Sequence, residues 1–138
     1  MATVPFKLIT PVAVKFDGEA ELVIAVGSEG ETGILPHHAP YLTTVRPGVL
    51  RANVVEGGAV KRLELATGEG FLQVLPDRIT LLVDGAFERN DVNIDATRHD
   101  LSQAQERQRS AGGDLEAYRR EQSIIDLANA KLYIAGMH

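Results

Sequence analysis

Glycine and proline interrupt the N-terminal part of the chain so often that long helices cannot form there. Between residues 6 and 87 the apolar residues occur in short runs with a period of two, as in Leu22, Ile24 and Val26. Such alternation is typical of β-strands that bury one face. Short strands separated by turns at this spacing predict an all-β sandwich or barrel. The interrupting residues are Pro11, Gly18, Gly27, Gly33, Pro36, Pro47, Gly48, Gly57, Gly58, Gly68, Gly70 and Pro76.

Two of these turns lie between alternating runs and predict β-hairpins. Gly57 and Gly58 separate the runs 49–55 and 60–66. Paired glycines readily adopt the positive φ that a tight turn needs, so we expect the two runs to pair. A second hairpin is predicted from the runs 71–74 and 79–83 and the turn 75–78 between them.

The composition changes after residue 89, where proline disappears and Ala, Gln, Glu, Arg and Leu dominate. Asn90 or Asp91 is predicted to cap a first helix, a contribution of ~1 kcal/mol. Residues 110–114 are predicted to end that helix and to cap a second one. We therefore expect an α+β protein with a β-sandwich or barrel domain over 1–88 and an antiparallel two-helix hairpin over 89–138.

The two predicted helices differ in their apolar faces. The first has a thin stripe of Ile94, Leu101 and Ala104, with Gln108 where another apolar residue would be expected. Because helices in proteins owe most of their stability to packing, we expect the hairpin to hold together but to dock weakly on the β-domain. The second helix has a fuller apolar set, namely Leu115, Tyr118, Ile124, Ile125, Leu127, Ala128, Leu132, Tyr133 and Ile134.

Charge and composition exclude several classes of function. The chain carries 14 basic and 19 acidic residues, a net charge of −5, which argues against binding to a nucleic-acid backbone. It has no cysteine, so disulfides and thiolate metal sites are excluded. No run of about 18 apolar residues occurs, so we expect neither a leader peptide nor a membrane-spanning helix.

The adjacent histidines His37 and His38 are the first candidates for reactive chemistry. In an extended chain neighbouring side chains point to opposite faces, so both rings would rarely reach one metal ion, and two further ligands would be needed. A small metal-dependent β-barrel enzyme built on His37 and His38 remains the alternative interpretation. The sequence contains no Gly-x-Ser-x-Gly nucleophile elbow and no Gly-Lys-Ser/Thr phosphate loop.

Three segments in order carry a resemblance that extends over essentially the whole chain. They are GETGILPHHAPYLTTVRPGVL, TGEGFLQVLPDRITLLVDGA and NDVNIDATR. In order and spacing they resemble the ε subunit of F-type ATP synthase, which implies a β-sandwich followed by a helical hairpin. The resemblance implies a non-catalytic central-stalk subunit of the proton-translocating complex, peripheral at the cytoplasmic face of the cell membrane. It also implies that the sandwich couples the γ subunit to the c-ring.

The resemblance also implies site residues. Glu31 and His38 match positions at the c-ring end and are candidate contacts of the c-ring or the γ subunit. The C-terminal helices of this family inhibit ATP hydrolysis by extending along γ toward the α and β subunits of the catalytic head. Coulomb attraction would favour contacts between hairpin arginines and an acidic segment of the β subunit. The candidate β-subunit contacts are Arg107, Arg109, Arg119 and Arg120.

Some members of the family bind ATP through Ile/Leu-Asp-x-x-Arg-Ala, which makes Asp95 and Arg98 possible ATP contacts here. His99 replaces the final alanine, a departure that counts against binding. We therefore expect no cofactor, with ATP as at most a weak regulatory ligand. His37 is a second departure, since the family usually has glycine there, and a positive φ at this position would strain a histidine.

Overall fold

The computed structural model describes residues 2–27, 30–37 and 39–137. A β-domain is followed by a short 3₁₀ turn at Arg89–Asp91 and then by two helices. The helices are α1 (Ile94–Arg109) and α2 (Leu115–Ile134). The strands are β1 (Val4–Ile9), β2 (Val14–Gly27), β3 (Gly30–Ile34), β4 (Tyr41–Val45), β5 (Gly48–Glu56), β6 (Ala59–Thr67), β7 (Gly70–Leu75), β8 (Arg78–Val83) and β9 (Ala86–Phe87).

The strands form two packed layers that share β2. One layer has the order β1-β8-β7-β4, and the other runs from β3 through β2, β5 and β6 to β9. The pairing of β1 with β8 is parallel, whereas the remaining pairs are antiparallel. The first part of β2 pairs with β1, and its later part pairs with β5 and β3. This arrangement confirms the predicted β-sandwich.

The sandwich core consists of the residues that each layer turns inward. In β1 the buried positions alternate with exposed ones, as the period of two in the sequence predicts. Phe6 and Leu8 of β1 meet Leu50 of β5 and Leu81 of β8 in a single apolar cluster. Burying side chains of this size contributes ~1.5–3 kcal/mol each, so the core accounts for most of the stability of the domain.

Both predicted hairpins are confirmed. In the first, β5 pairs with β6 along their whole length, and the turn residues Gly57 and Gly58 have φ values of 57° and 80°. In the second, β7 pairs with β8 across the turn that contains Pro76 and Asp77. The two turns therefore lie where the sequence predicts them, and each fixes the register of the strands that it connects.

The cap of α1 differs from the prediction. Asn93 is the N-cap, and its side chain accepts a hydrogen bond from the backbone N–H of Ala96 at 3.0 Å. The predicted caps were wrong because Asp91 instead closes the 3₁₀ turn, where its carboxylate accepts from the N–H of Glu88 at 2.9 Å. The cap of α2 is confirmed, since Asp114 accepts from the N–H of Ala117 at 3.1 Å.

The helices form an antiparallel hairpin that packs on the sandwich through α2, as the α+β prediction requires. Ala130 and Ile134 of α2 are buried against Ala66 of β6. Two of these three residues are alanines, so the helix lies close to the sheet while burying little apolar surface. Val49, Phe87, Val92 and Leu127 surround this cluster. No helix among the described residues is long and apolar enough to cross a membrane.

Candidate interaction surfaces

An exposed apolar face covers the outer side of the layer formed by β1, β8, β7 and β4. Thr44 lies opposite Phe71, Phe71 lies opposite Leu82, and Leu82 lies beside Ile9. Residues paired in this way point to the same side of a sheet, and Leu42 joins them two positions before Thr44. We call these five residues the apolar face.

The large side chains of the apolar face are open to solvent. Leu42 is 67%, Phe71 53% and Leu82 47% exposed. Contiguous exposed apolar patches are uncommon on monomeric proteins, and aromatic residues are enriched where proteins meet. The apolar face is therefore a candidate protein-docking surface.

Glu31 lies at the opposite layer, on the short edge strand β3. Its carboxylate accepts a hydrogen bond from the guanidinium of Arg51 on β5, and the two form an ion pair at the sheet surface. Glu31 remains largely accessible, whereas Arg51 is mostly covered. His38, the other candidate for this end of the molecule, lies outside the described residues.

His37 adopts the left-handed backbone conformation. This conformation agrees with the glycine that the family usually has at this position. Its φ is 66°, the one positive value at a non-glycine position in residues 2–27, 30–37 and 39–137. A side chain in this region costs ~1 kcal/mol or more, although histidine tolerates it better than β-branched residues do. The predicted positive φ is therefore present in the segment between β3 and β4.

A cleft of about 460 Å³ separates the sandwich from α2. Arg46, Pro47 and Val49 line its sandwich side, and Asp126 and Tyr133 line its helix side. The Nε of Arg46 donates to the carbonyl of Gly27 at 3.2 Å, so the guanidinium is fixed at the cleft wall. The cleft lies beside the C-terminal half of α2, next to the buried contact of Ala130 with the sandwich.

Two further contacts hold α2 to the sandwich. The ammonium of Lys131 lies 4.1 Å from the centre of the Phe87 ring, a cation–π contact. The hydroxyl of Ser123 donates to the carboxylate of Glu69 in the β6–β7 turn. Both contacts lie at the surface, where such interactions contribute ~0.5–1 kcal/mol each. The hairpin is therefore held by a small apolar cluster and a few polar contacts.

Of the four candidate hairpin arginines, Arg107 has a structural role in the folded hairpin. Its Nε donates to both carboxylate oxygens of Glu121, at 2.7 and 3.0 Å, and so joins α1 to α2. Glu121 is only 6% exposed, and an ion pair compensates the cost of burying its charge. The neighbouring amides extend this polar seam, because Gln108 donates to Gln122 at 2.8 Å and Gln122 donates to Asp126 at 2.9 Å.

The other three candidate arginines are exposed, as Arg107 is, but none of them joins α1 to α2. Arg109 pairs with Glu106 one turn earlier on α1, an exposed pair of small energetic value. Arg119 and Arg120 lie on the first turns of α2 and form no ion pair with any described residue. Both side chains are therefore available to a partner.

Asp95 and Arg98, the possible ATP contacts, are exposed residues of the first turns of α1. The guanidinium of Arg98 lies 3.3 Å from the sulfur of Met137, near the end of the chain. Neither residue lines the cleft between the sandwich and α2. Their role toward ATP stays a prediction.

The hydroxyl of Tyr41 lies in a partly buried environment. Burial raises the pKa of the Tyr41 hydroxyl above its ordinary value of 10.0. Tyr41 packs against the sandwich core, so this shift has a structural cause. No group of three or more His, Asp or Glu side chains in the described ranges could hold a metal ion. The metal-dependent alternative at His37 and His38 stays a prediction, because His38 lies outside the described residues.

The apolar face is the feature that the sequence reasoning missed. Leu81, Leu82 and Val83 are consecutive apolar residues in β8, and Phe71 adjoins Leu72 in β7. Because successive strand residues point to opposite faces, such runs indicate a strand that is apolar on both sides. That signal could have identified the surface.

The sandwich matches the model of a known family. The chain also matches known relatives over both of its domains. Residues 3–89 match the family model of the ATP synthase Delta/Epsilon chain β-sandwich domain. The chain is 38% identical over 114 residues to an ATP synthase epsilon chain of Rhodospirillum rubrum, covering 83% of each chain. It is 36% identical over 132 residues to that of Ruminiclostridium cellulolyticum, covering 96% of this chain and 95% of the relative.

Solved structures share the fold at lower identity. One chain from the Euglena gracilis mitochondrial ATP synthase, in a structure of OSCP/F1/c-ring, aligns with a TM-score of 0.77 at 18% identity, covering 100% of this chain and 83% of that chain. A chain from the central stalk/c-ring structure of the Tetrahymena thermophila mitochondrial ATP synthase aligns with a TM-score of 0.64 at 17% identity, covering 94% and 97%. The family match and the relatives over both domains place the chain in the ATP synthase epsilon chain family, as a subunit of that complex.

Proposed function

We propose that this chain is a non-catalytic subunit of the central stalk of a proton-translocating ATP synthase. Its sandwich joins the γ subunit to the c-ring, and its C-terminal hairpin inhibits ATP hydrolysis. In this role it is a peripheral protein at the cytoplasmic face of the cell membrane. The observation that carries the proposal is the apolar face, which is exposed in the isolated chain on a domain that belongs to this family.

The apolar face supports docking of the γ subunit. Phe71 lies at its centre with Thr44 and Leu82 on either side, an arrangement in which one aromatic anchor is ringed by smaller groups. The flat surface of a sheet accepts a folded partner without rearranging its own backbone. The apolar side chains of the face would lose their remaining solvent exposure in that contact.

The opposite layer supports a contact with the c-ring. Glu31 presents a half-exposed carboxylate on the edge strand β3, and Arg51 holds it in place. Leu35, in the loop that follows, is 58% exposed. A fixed charge beside an exposed apolar side chain suits the polar rim and apolar centre of a protein interface. Both solved neighbours come from ATP synthase structures that include the c-ring.

The hairpin supports inhibition by extension. Its contact with the sandwich centres on Ala66, Ala130 and Ile134, and its own helices meet along the polar seam of Arg107 and Glu121. Polar groups that separate from each other are solvated by water, so opening this seam costs less than opening an apolar one. Exposed cations on α2 would then be carried toward the β subunits of the catalytic head.

Reconstitution tests the proposal directly. An αβγ complex is assembled with the full chain, or with residues 1–88, whose core is separate from the hairpin. Binding and ATP hydrolysis are then measured. We expect both forms to bind and only the full chain to lower the hydrolysis rate.

A matched pair of variants locates the docking surface. Phe71→Glu places a charge at the centre of the apolar face and should weaken binding about 100-fold, as expected for an interface hot spot. Lys61→Glu changes a charge on β6, outside the apolar face, and should leave binding unchanged. If neither the full chain nor residues 1–88 binds the complex, the proposed function is wrong.

A further inference from the structure

The turn between β6 and β7 connects the strand under α2 to the strand that carries Phe71. Ala66, near the end of β6, is buried against α2, whereas Phe71 lies in the apolar face. Glu69 lies between them, and its carboxylate accepts a hydrogen bond from the hydroxyl of Ser123 on α2. One exposed side chain thus contacts the hairpin while lying two residues from the centre of the apolar face.

Glu69 and Phe71 also share one surface depression. It has a volume of about 360 Å³, and Thr44 and Gly70 line it together with these two residues. Thr44 belongs to the apolar face as well. A partner that covers Phe71 therefore borders the carboxylate of Glu69.

The backbone of this turn has little freedom to move independently of β8. The N–H of Gly68 donates to the carbonyl of Gly85 at 2.9 Å, and the N–H of Asp84 donates to the carbonyl of Glu69 at 2.9 Å. A Cβ atom on Gly70 would come within 1.8 Å of the carbonyl oxygen of Leu82, so the two strands are in close contact there. The position of Glu69 is therefore fixed relative to the apolar face.

We propose that Glu69 couples the apolar face to the hairpin. A hydrogen-bond donor or cation of the partner docked beside Phe71 competes with Ser123 for the carboxylate of Glu69, and the hairpin then leaves the sandwich more readily. This inference rests on the proposed function, because it takes the γ subunit as the docked partner. A ligand shifts a conformational equilibrium only through contacts that differ between the two states, and Glu69 supplies such a contact.

Thermodynamic linkage makes the coupling measurable from both sides. If the γ subunit favours the open hairpin, any change that opens the hairpin must tighten γ binding. Ser123→Ala removes one exposed hydrogen bond to a carboxylate, which should raise the ratio of open to closed chains about threefold. The affinity for γ should rise by up to the same factor.

The experiment uses the full chain with two spin labels. Because the sequence has no cysteine, Lys61→Cys and Glu116→Cys introduce label sites on the sandwich and on α2, and neither residue contacts Glu69 or Ser123. Distance distributions are measured by double electron–electron resonance with and without purified γ subunit. We expect γ to increase the long-distance population, and Ser123→Ala to increase it without γ. Ser102→Ala, an exposed serine of α1, is the matched control and should change nothing.

Two outcomes separate this inference from the proposed function. If Phe71→Glu weakens γ binding but γ leaves the distance distribution unchanged, the apolar face docks γ and the coupling through Glu69 is wrong. If Phe71→Glu leaves γ binding unchanged, the assignment of the apolar face is wrong and the inference fails with it.

Discussion

In the sandwich, Leu50, Leu65 and Leu72 lose nearly all their exposure inside one continuous apolar cluster, whereas the hairpin buries Glu121 between its two helices. The first region is stabilised by the removal of apolar surface from water, which is lost in full when the domain opens. The second combines a few buried apolar residues, Ala104, Ile125 and Ala128, with an ion pair and amide hydrogen bonds that water can replace. The comparison teaches that two units stabilised by different interactions can be joined in a chain of 138 residues by changing which groups are buried.

The largest expected effect comes from the sandwich core. Leu72→Ala should lower the free energy of unfolding by ~2–5 kcal/mol, because it leaves a cavity among residues that are already closely packed. Leu82→Ala, on the other face of the sheet, should change it by less than ~0.5 kcal/mol. Urea unfolding followed by far-UV circular dichroism measures both. Equal losses would show that the apolar face is covered in the isolated chain.

A smaller effect is expected at the polar seam of the hairpin. Glu121→Gln removes the charge that Arg107 contacts and should lower hairpin stability by ~1–2 kcal/mol. Glu106→Gln, which disrupts the exposed pair with Arg109, should cost ~0.5 kcal/mol at most. Amide hydrogen exchange resolved by residue measures the loss. Protection should fall in α1 and α2 and stay constant in β7 and β8, and a uniform fall would contradict the separation into two units.

Replacement of a histidine by glycine should change stability in opposite directions in the two regions. His37→Gly should stabilise the sandwich by up to ~1 kcal/mol, because glycine adopts a positive φ without the steric cost of a Cβ. His99→Gly, at an exposed position within α1, should destabilise the hairpin by ~1 kcal/mol. Thermal unfolding monitored for each region separately measures these changes. A loss of stability in His37→Gly would mean that contacts of the imidazole outweigh the strain.

The smallest expected effect concerns ATP. Because His99 replaces the alanine of the motif and Arg98 lies against Met137, millimolar ATP should leave the melting temperature of the chain unchanged. The measurement is differential scanning calorimetry with and without ATP. A rise that disappears in Arg98→Ala, but persists in Arg109→Ala, would establish a nucleotide site at Asp95 and Arg98.

Local patterns in the sequence predicted much of the fold. The period of two in β1 and the paired glycines Gly57 and Gly58 act over a few residues, and the structure confirms both. The cap of α1 was predicted two or three residues too early, because Asp91 is equally suitable for closing a 3₁₀ turn. Side-chain chemistry alone does not distinguish these two uses of an aspartate.

The interaction surfaces were harder to predict because they depend on residues distant in the sequence. Ser123 and Glu69 are 54 positions apart, and only the docked hairpin brings them together. Arg107 was predicted as a contact for another subunit. Within the chain it pairs with Glu121, which lies on α2. The roles of all six candidate contacts toward other subunits stay predictions, namely those of Glu31, His38, Arg107, Arg109, Arg119 and Arg120.

The length of β2 has a mechanical consequence. This strand has 14 residues and extends over about 45 Å, since a strand rises ~3.3 Å per residue. One end is hydrogen-bonded to β1 beside the apolar face, and the other is hydrogen-bonded to β3, which carries Glu31. A force applied at one of these surfaces would therefore reach the other along the covalent backbone of a single strand.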